Sequence, residues 1–211
     1  MSVTVITVAG MSVAVITDRY DSAMARWEPD SRGRLERAAF ELYGERGFDR
    51  TTVAEIAARA GVTERTFFRH FTDKREILFS GAALLQALLV DAVVDAPDGA
   101  SPFAAVRAAL EAAGAFFDDR RDASRRRQAI ILGSEELRER ELIKLATLAT
   151  ALADALRRRG VVDPEAALTG ELAIAVFRVA FESWVGDDDP TTLTRRCATS
   201  FDALQAVAAD G

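Results

Sequence analysis

Thr63, Glu64, Arg65, Thr66, Arg69 and His70 fall within eight residues, and each carries a group that can hydrogen-bond a base edge or a phosphate. On a helix, Arg65 lies one turn in, where a guanidinium can fork onto O6 and N7 of a guanine. Thr66 offers a methyl and a hydroxyl, suited to a thymine methyl or a phosphate. Thr52 stands at a helix start, where its hydroxyl and the nearby amides suit a phosphate. Arg50 and Lys74 add cations for neighbouring phosphates. This is the chemistry of double-stranded DNA recognition. Glu64 would repel phosphate and reads chiefly as a favourable charge at a helix start. Arg69 is equally a surface ion-pair partner, and His70 equally a packing residue. For the whole stretch the alternative is a helical hairpin with surface charges.

These side chains need a frame, and the sequence supplies one. Leu35, Ala38, Ala39, Leu42 and Tyr43 share one face of a helix predicted over 31–46. Gly47 stops it, and Phe48 plugs a small core. Thr52 and Glu55 form a capping box opening a second helix at Val53. Its residues Val53, Ile56, Ala57 and Ala60 face inward. Gly61 supplies the positive φ of a tight turn, Val62 fills the elbow, and Thr63 caps a third helix over 64–71. Phe67 and Phe71 read as core. Asp73 and Glu76 predict a second capping box opening a fourth helix. Further on, Ser101-Pro102, Asp163-Pro164 and Asp189-Pro190 each place a capping residue before a proline. Ser134 precedes Glu135 and Glu136, and Arg157, Arg158 and Arg159 close a helix before Gly160. The sum is about nine helices, three in the motif and six beyond, with no strand after residue 24. The fold class is all-α, divided as extension 1–24, helix-turn-helix unit 25–75 and a larger helical domain 76–211.

Composition narrows the chemistry. The chain has 211 residues, 49% of them hydrophobic and 28% charged, enough for a real core and unlike a disordered chain. One cysteine (Cys197) and one histidine (His70) exclude an intrachain disulfide and most nucleophilic or metal-assisted catalysis. No cofactor, metal or enzymatic activity is expected. The net charge of −6 is unevenly spread: residues 26–79 hold 11 basic and 10 acidic residues, leaving 16 and 23 elsewhere. DNA affinity depends on local cations, not total charge, and a unit at +1 predicts modest, salt-sensitive non-specific binding.

At the amino end, Met1-Ser-Val-Thr-Val-Ile-Thr is nearly repeated from Met11. The uncharged run from Val3 to Thr17 is too short for a membrane span. Ala23-Met24-Ala25 resembles a cleavage site, but a positive leading segment is missing. The reading preferred is a floppy or strand-like extension on a cytoplasmic protein, with Met11 or Met24 as alternative starts.

Residues 31–79 resemble the DNA-binding domain of TetR/AcrR-type transcriptional regulators. Ala39-Phe40, Gly47-Phe48, Thr51-Thr52-Val53, Ile56-Ala57, Ala60-Gly61-Val62, Thr66-Phe67-Phe68-Arg69-His70-Phe71 and Lys74 carry the likeness. It implies an all-α homodimer with an amino-terminal helix-turn-helix and a larger ligand-binding domain. The DNA-facing set it implies is Arg50, Thr52, Thr63, Arg65, Thr66, Phe68, Arg69, His70 and Lys74. Phe68 stands where the family usually has tyrosine, so that hydroxyl's phosphate contact is lost. Arg65 stands where a small residue is common, so it should read a distinctive base. The stretch from Leu137 to Lys144, with Ala155 to Gly160, is also similar to regulators with acyl-CoA-like ligands.

Carried onto the carboxy-terminal helices, the resemblance implies a pocket among Leu85, Phe103, Leu110, Phe116, Phe117, Ile130, Ile131, Leu145, Leu148, Phe177, Phe181 and Trp184. Arg178 interrupts an apolar helix and either pairs with Glu182 one turn on or anchors an anionic ligand. The run Arg125-Arg126-Arg127 reads as a solvated face. A dimer interface is implied at Leu168, Leu172, Val179, Leu193, Phe201 and Leu204, for each of which intrachain core is the competing reading. The function expected is a repressor released from a palindromic operator by an apolar or amphipathic effector, without membrane association. The alternatives are a helical lipid or acyl-ligand carrier or enzyme, and a constitutive DNA binder.

Overall fold

Leu35, Ala38, Ala39, Leu42 and Tyr43 do share one face, and α1 (Ser31–Arg46) buries all five. The computed structural model describes the backbone of residues 4–8 and 11–15 and the chain from 30 to 209. Asp30 caps α1 by accepting from the Gly33 amide at 2.8 Å. The helix stops at Gly47, whose φ of 85° and amide bond to the Tyr43 carbonyl turn the chain out. The capping box of Thr52 and Glu55 opens α2 (Val53–Arg59), and Thr63 caps α3 (Glu64–His70). Between them Gly61 takes φ 67°. Phe67 and Ile56 are fully buried, with Phe48 and Phe71 closing the small core.

The link to the second unit departs from expectation. The Asp73 carboxylate accepts from the amides of Arg75 and Glu76, at 2.8 and 3.1 Å. The reciprocal half of the box does not form, because Glu76 turns to Arg140 and Lys144 instead. The result is a short α4 (Glu76–Phe79), a break at Ser80-Gly81, and α5 (Ala82–Val94). The segment Glu76–Val94 is long and apolar enough to span a membrane by composition, but the chain is broken there and its inner face is core.

Five longer helices complete the fold: α6 (Pro102–Phe117), α7 (Arg121–Leu132), α8 (Glu135–Arg158), α9 (Glu165–Gly186) and α10 (Leu193–Ala209), with one 3-10 turn at Asp118–Arg120. The described residues thus hold ten α-helices; the split of the link into α4 and α5 accounts for the one not foreseen. Leu89, Leu110, Leu152, Leu156, Trp184 and Phe201 anchor the main core. Two glycines let backbones touch. A Cβ on Gly114 would fall 2.4 Å from Thr194 Cα, and one on Gly170 would fall 2.6 Å from the Ala149 carbonyl.

Of the expected proline starts, only Ser101 caps as read, accepting from the Ala104 amide at 3.2 Å. Asp163 gives its carboxylate to Arg157, at 2.9 and 3.1 Å, and Pro164 holds the cap position. Asp189 bonds Thr191, and α10 begins later, at Leu193. Its cap comes from another helix end: Asp118 accepts from the Leu193 amide at 2.7 Å. Ser134 makes no cap bond; its hydroxyl reaches Asp49 at 3.3 Å.

The near-repeat at the amino end forms an antiparallel pair, β1 (Thr4–Val8) with β2 (Met11–Val15), Val5 opposite Ala14. The possible cleavage site at Ala23-Met24-Ala25 lies outside the described residues.

The two cores do not divide at residue 75. Ile77, Leu78 and Phe79 join the amino-terminal core, and so do Ile131 and Leu137 from the corner between α7 and α8. The larger unit therefore plugs two fully buried side chains into the smaller one.

Cys197 is 1% exposed, and burial, with Asp118 and Glu111 nearby, pushes its thiol up to about 12. Ellman's reagent at pH 8 is expected to find no reactive thiol in the native protein and one per chain in guanidinium. Native labelling at the rate of free cysteine would contradict this packing.

Candidate nucleic-acid interface and adjoining cavity

The outward face of α3 exposes Thr63, Glu64, Arg65, Phe68 and Arg69, while Thr66 and His70 are half-buried. Phe67 is the pin that fixes this orientation, touching Phe71 and Phe68 with ring centroids 5.6 and 5.3 Å apart. Among the described residues nothing engages the Arg65 guanidinium, which stands in solvent. The Thr63 and Thr66 hydroxyls bond each other at 3.1 Å, and Thr63 also accepts from the Thr66 amide. Thr52 is exposed and donates to Glu55 at 2.9 Å. Its amide and hydroxyl, with Arg46, hold the Glu55 carboxyl below its ordinary range. Arg50 is exposed and rests its Nε on the Arg46 carbonyl at 2.7 Å.

Two residues of the expected DNA-facing set also make bonds within the chain, and for His70 packing was the equal reading. His70 Nε2 lies 2.8 Å from Ser31 Oγ, tying the end of α3 to the start of α1. Lys74 Nζ donates to the carbonyls of Phe48 and Thr51, both at 2.8 Å, lies 3.5 Å from that of Asp49, and sits 4.2 Å from the centre of the Phe48 ring. The Phe48 carbonyl also accepts from the Thr51 amide at 3.1 Å, so the ammonium, with three donors to give, adds to the bonding of a turn that is already closed. Tyr43 fastens the same place by donating to the Lys74 carbonyl at 2.6 Å; burial, with Asp73 nearby, raises its phenol far above the usual range.

Below this unit lies a cavity of about 460 Å³. Of the residues expected to line a pocket, Leu85, Phe116, Phe117, Leu145, Leu148, Phe177, Arg178 and Phe181 do so. Five do not. Phe103 packs on Phe201, ring centroids 5.6 Å apart, and Leu110 and Trp184 are sealed in the main core. Ile131 is buried in the amino-terminal core and Ile130 packs against it. Arg178 sits 4.0 Å from Glu182, both half-exposed at the cavity's edge.

The walls that sequence reading missed are polar residues and the DNA-binding unit itself. Glu36 and Phe40 of α1, the run from Ile77 to Ala82, Arg127 and Gln128 of α7, and Arg138, Glu141 and Lys144 of α8 all contribute. Arg127 is not on a solvated face. It pairs with Glu141 at 2.9 Å, donates to the Leu78 carbonyl at 2.7 Å and stacks 5.1 Å from the Phe79 ring centre. Burial lowers its pKa, with Glu141 opposing. Arg125 is likewise engaged, on the Val185 carbonyl at 2.9 Å and on Asp188. Arg126 alone of the three is exposed.

On the far side, α9 exposes Leu168, Ala175 and Val179 and half-exposes Leu172, a stripe at three- and four-residue steps. Leu193 and Phe201, expected in a dimer interface, are 0% and 2% exposed within their own chain and have no surface left for a partner. Leu204 is partly buried against the same core.

Residues 36–80 match the family model of bacterial regulatory proteins of the tetR family. Residues 100–209, about half of the chain, match the model of the MftR C-terminal domain. The chain belongs to the TetR family. A Mycobacterium tuberculosis (strain H37Rv) relative, named MftR for the regulation of mycofactocin biosynthesis, is 28% identical over 198 residues, covering 89% of this chain and 96% of its own. The regulator TcmR of Streptomyces glaucescens is 35% identical over 82 residues, 39% of this chain and 36% of its own. The fold is shared with SmeT in complex with triclosan, at TM-score 0.62 and 21% identity, over 84% of this chain and 90% of that one. It is shared too with FadR of Thermus thermophilus in complex with lauroyl-CoA, at TM-score 0.55 and 24% identity, over 82% and 93%. This TetR-family chain is a DNA-binding transcriptional regulator, and α2 and α3 are its helix-turn-helix.

Proposed function

We propose that this TetR-family regulator is a ligand-released repressor that grips a palindromic operator as a homodimer in the cytoplasm. One observation carries the reading: the cavity is walled partly by the DNA-binding unit. A molecule inside it touches Phe40 on α1 and the α4 run Ile77 to Phe79, and also α7 and α8, whose corner is plugged into the same small core. An occupant that prefers a different spacing of these elements shifts α3 with them, by as much as it favours that state.

Aromatic and aliphatic walls with Arg120, Arg138, Lys144 and Arg178 near them suit an amphipathic organic effector. That related folds hold triclosan or acyl-CoA supports the same class. The exposed stripe of Leu168, Leu172, Ala175 and Val179 is suited to a self-complementary helix pairing, and the two copies of α3 would then enter major grooves roughly 34–36 Å apart. Arg50, Thr52, Thr63, Arg65, Thr66, Phe68 and Arg69 are the DNA-facing set under this reading.

Operator affinity measured by fluorescence anisotropy with lauric acid, lauroyl-CoA or triclosan tests it. The binding member of that panel is expected to weaken the operator complex by about 5- to 150-fold, the usual range of such coupling. Leu148→Trp, which fills the cavity, is expected to keep operator affinity and lose the response. Equal affinity with the effector bound at saturation, as checked by calorimetry, would leave a constitutive DNA binder.

A further inference from the structure

Phe68 is 57% exposed on α3, while its neighbour Phe67 is fully buried. It follows Glu64 by four residues and Arg65 by three, which sets it at the centre of the outward face. Its ring stands edge-on to Phe67, at 78° between planes, so a residue locked in the core braces it. A lone exposed apolar side chain is ordinary on a protein surface. This one is ringed by Glu64, Arg65 and Arg69 on the helix that enters the groove, where each neighbouring residue type can hydrogen-bond a base or a phosphate.

A phenyl ring has no donor or acceptor to offer. Among the groups that base edges present in the major groove, one is apolar: the C5-methyl of thymine. We propose that Phe68 is a specificity-determining residue that reads a pyrimidine C5-methyl, beside the base contacted by Arg65. Three residues of helix rise about 4.5 Å, a little more than the 3.4 Å base-pair step, so the two positions are near neighbours in each half-site. The contact is made by apolar burial and carries no phosphate term. The inference rests on α3 being the groove-entering helix.

The test starts from an operator selected out of random duplex DNA by the full-length protein. Each thymine is then replaced singly by deoxyuridine, which removes the methyl and keeps every hydrogen-bonding group. One position in a half-site is expected to weaken wild-type binding about fourfold, the worth of one buried methyl-sized group, and to leave Phe68→Ala binding unchanged. Phe68→Leu, which keeps an apolar body, is expected to keep part of the discrimination and holds the comparison if the alanine variant melts early. Cytosine and 5-methylcytosine at that position separate the sources of the methyl. Tighter binding to thymine assigns thymine, and tighter binding to 5-methylcytosine assigns a methylated cytosine. A uracil scan without effect overturns the proposal. So does a Phe68→Ala loss of equal size on thymine and uracil, which would make the ring a structural or backbone contact. Failure of α3 as the reading helix is recognised separately, because Arg65→Ala would then change nothing.

Discussion

Arg65→Ala is expected to bind a selected operator about 5- to 150-fold more weakly than wild type, a loss of about 1–3 kcal/mol. The guanidinium stands free on the outward face of α3, held there by a helix whose opposite side is pinned by Phe67. A free arginine in this place can fork onto one guanine, so the loss should fall on operators carrying that guanine. Discrimination at that one position should relax, and random duplex should be bound almost as before. Arg50→Ala should behave differently, weakening all sequences alike and lowering the salt dependence of binding, as a phosphate contact does. Anisotropy titrations over operators with single base changes distinguish the two patterns. A helical carrier or enzyme would be indifferent to the loss of Arg65.

Lys74→Met is expected to damage the fold rather than the DNA contact. Lys74 holds the carbonyls of Phe48 and Thr51, each at 2.8 Å, across the turn that joins α1 to α2. Hydrogen bonds from a charged donor are worth about 1.5–3 kcal/mol each, and some of that returns as water reaches the half-buried turn. A net loss of about 2–4 kcal/mol lowers Tm by about 4–16 °C for a chain of this size. Methionine keeps the stem's packing, so the change isolates the ammonium. Measured well below its melting point, the variant should bind operator with nearly wild-type affinity and an unchanged salt slope. An unaltered melting curve with a salt slope reduced by about one would return Lys74 to the role of phosphate clamp.

The contrast between these two residues shows what the sequence could tell. The bounds of α1 and the start of α2 were legible because their signals are local: an apolar face at helical spacing, Thr52 with Glu55 three residues on, glycines at 47 and 61. The outward placement of Arg65 followed from the same spacing. The internal bonds of Lys74 and His70 were not legible because their partners lie 23 to 39 residues away, and no pattern within a helix reports a bond of that length. The cap on α10 was hidden for the same reason, since Asp118 reaches it across 75 residues.

The cavity was half legible. Periodicity marks a residue as facing inward, and Phe117 and Leu110 look alike on that measure. Only the packing decides that Phe117 borders a void while Leu110 is sealed in the core. Arg127 and Gln128 sit in a helix so rich in charge that it reads as solvated. Burial of Arg127 depends on Glu141 and the Leu78 carbonyl arriving from two other helices.

The central claim is that the exposed face of α3 reads base edges in the major groove. Methylation interference at guanine N7 on a selected operator tests it most directly, because that atom lies in the major groove and is the acceptor a forked arginine requires. Methylating one guanine in each half-site is expected to weaken wild-type binding about as much as Arg65→Ala does, and to have no further effect on that variant. Binding that tolerates methylation at every guanine, or interference that is the same in both proteins, would contradict the claim.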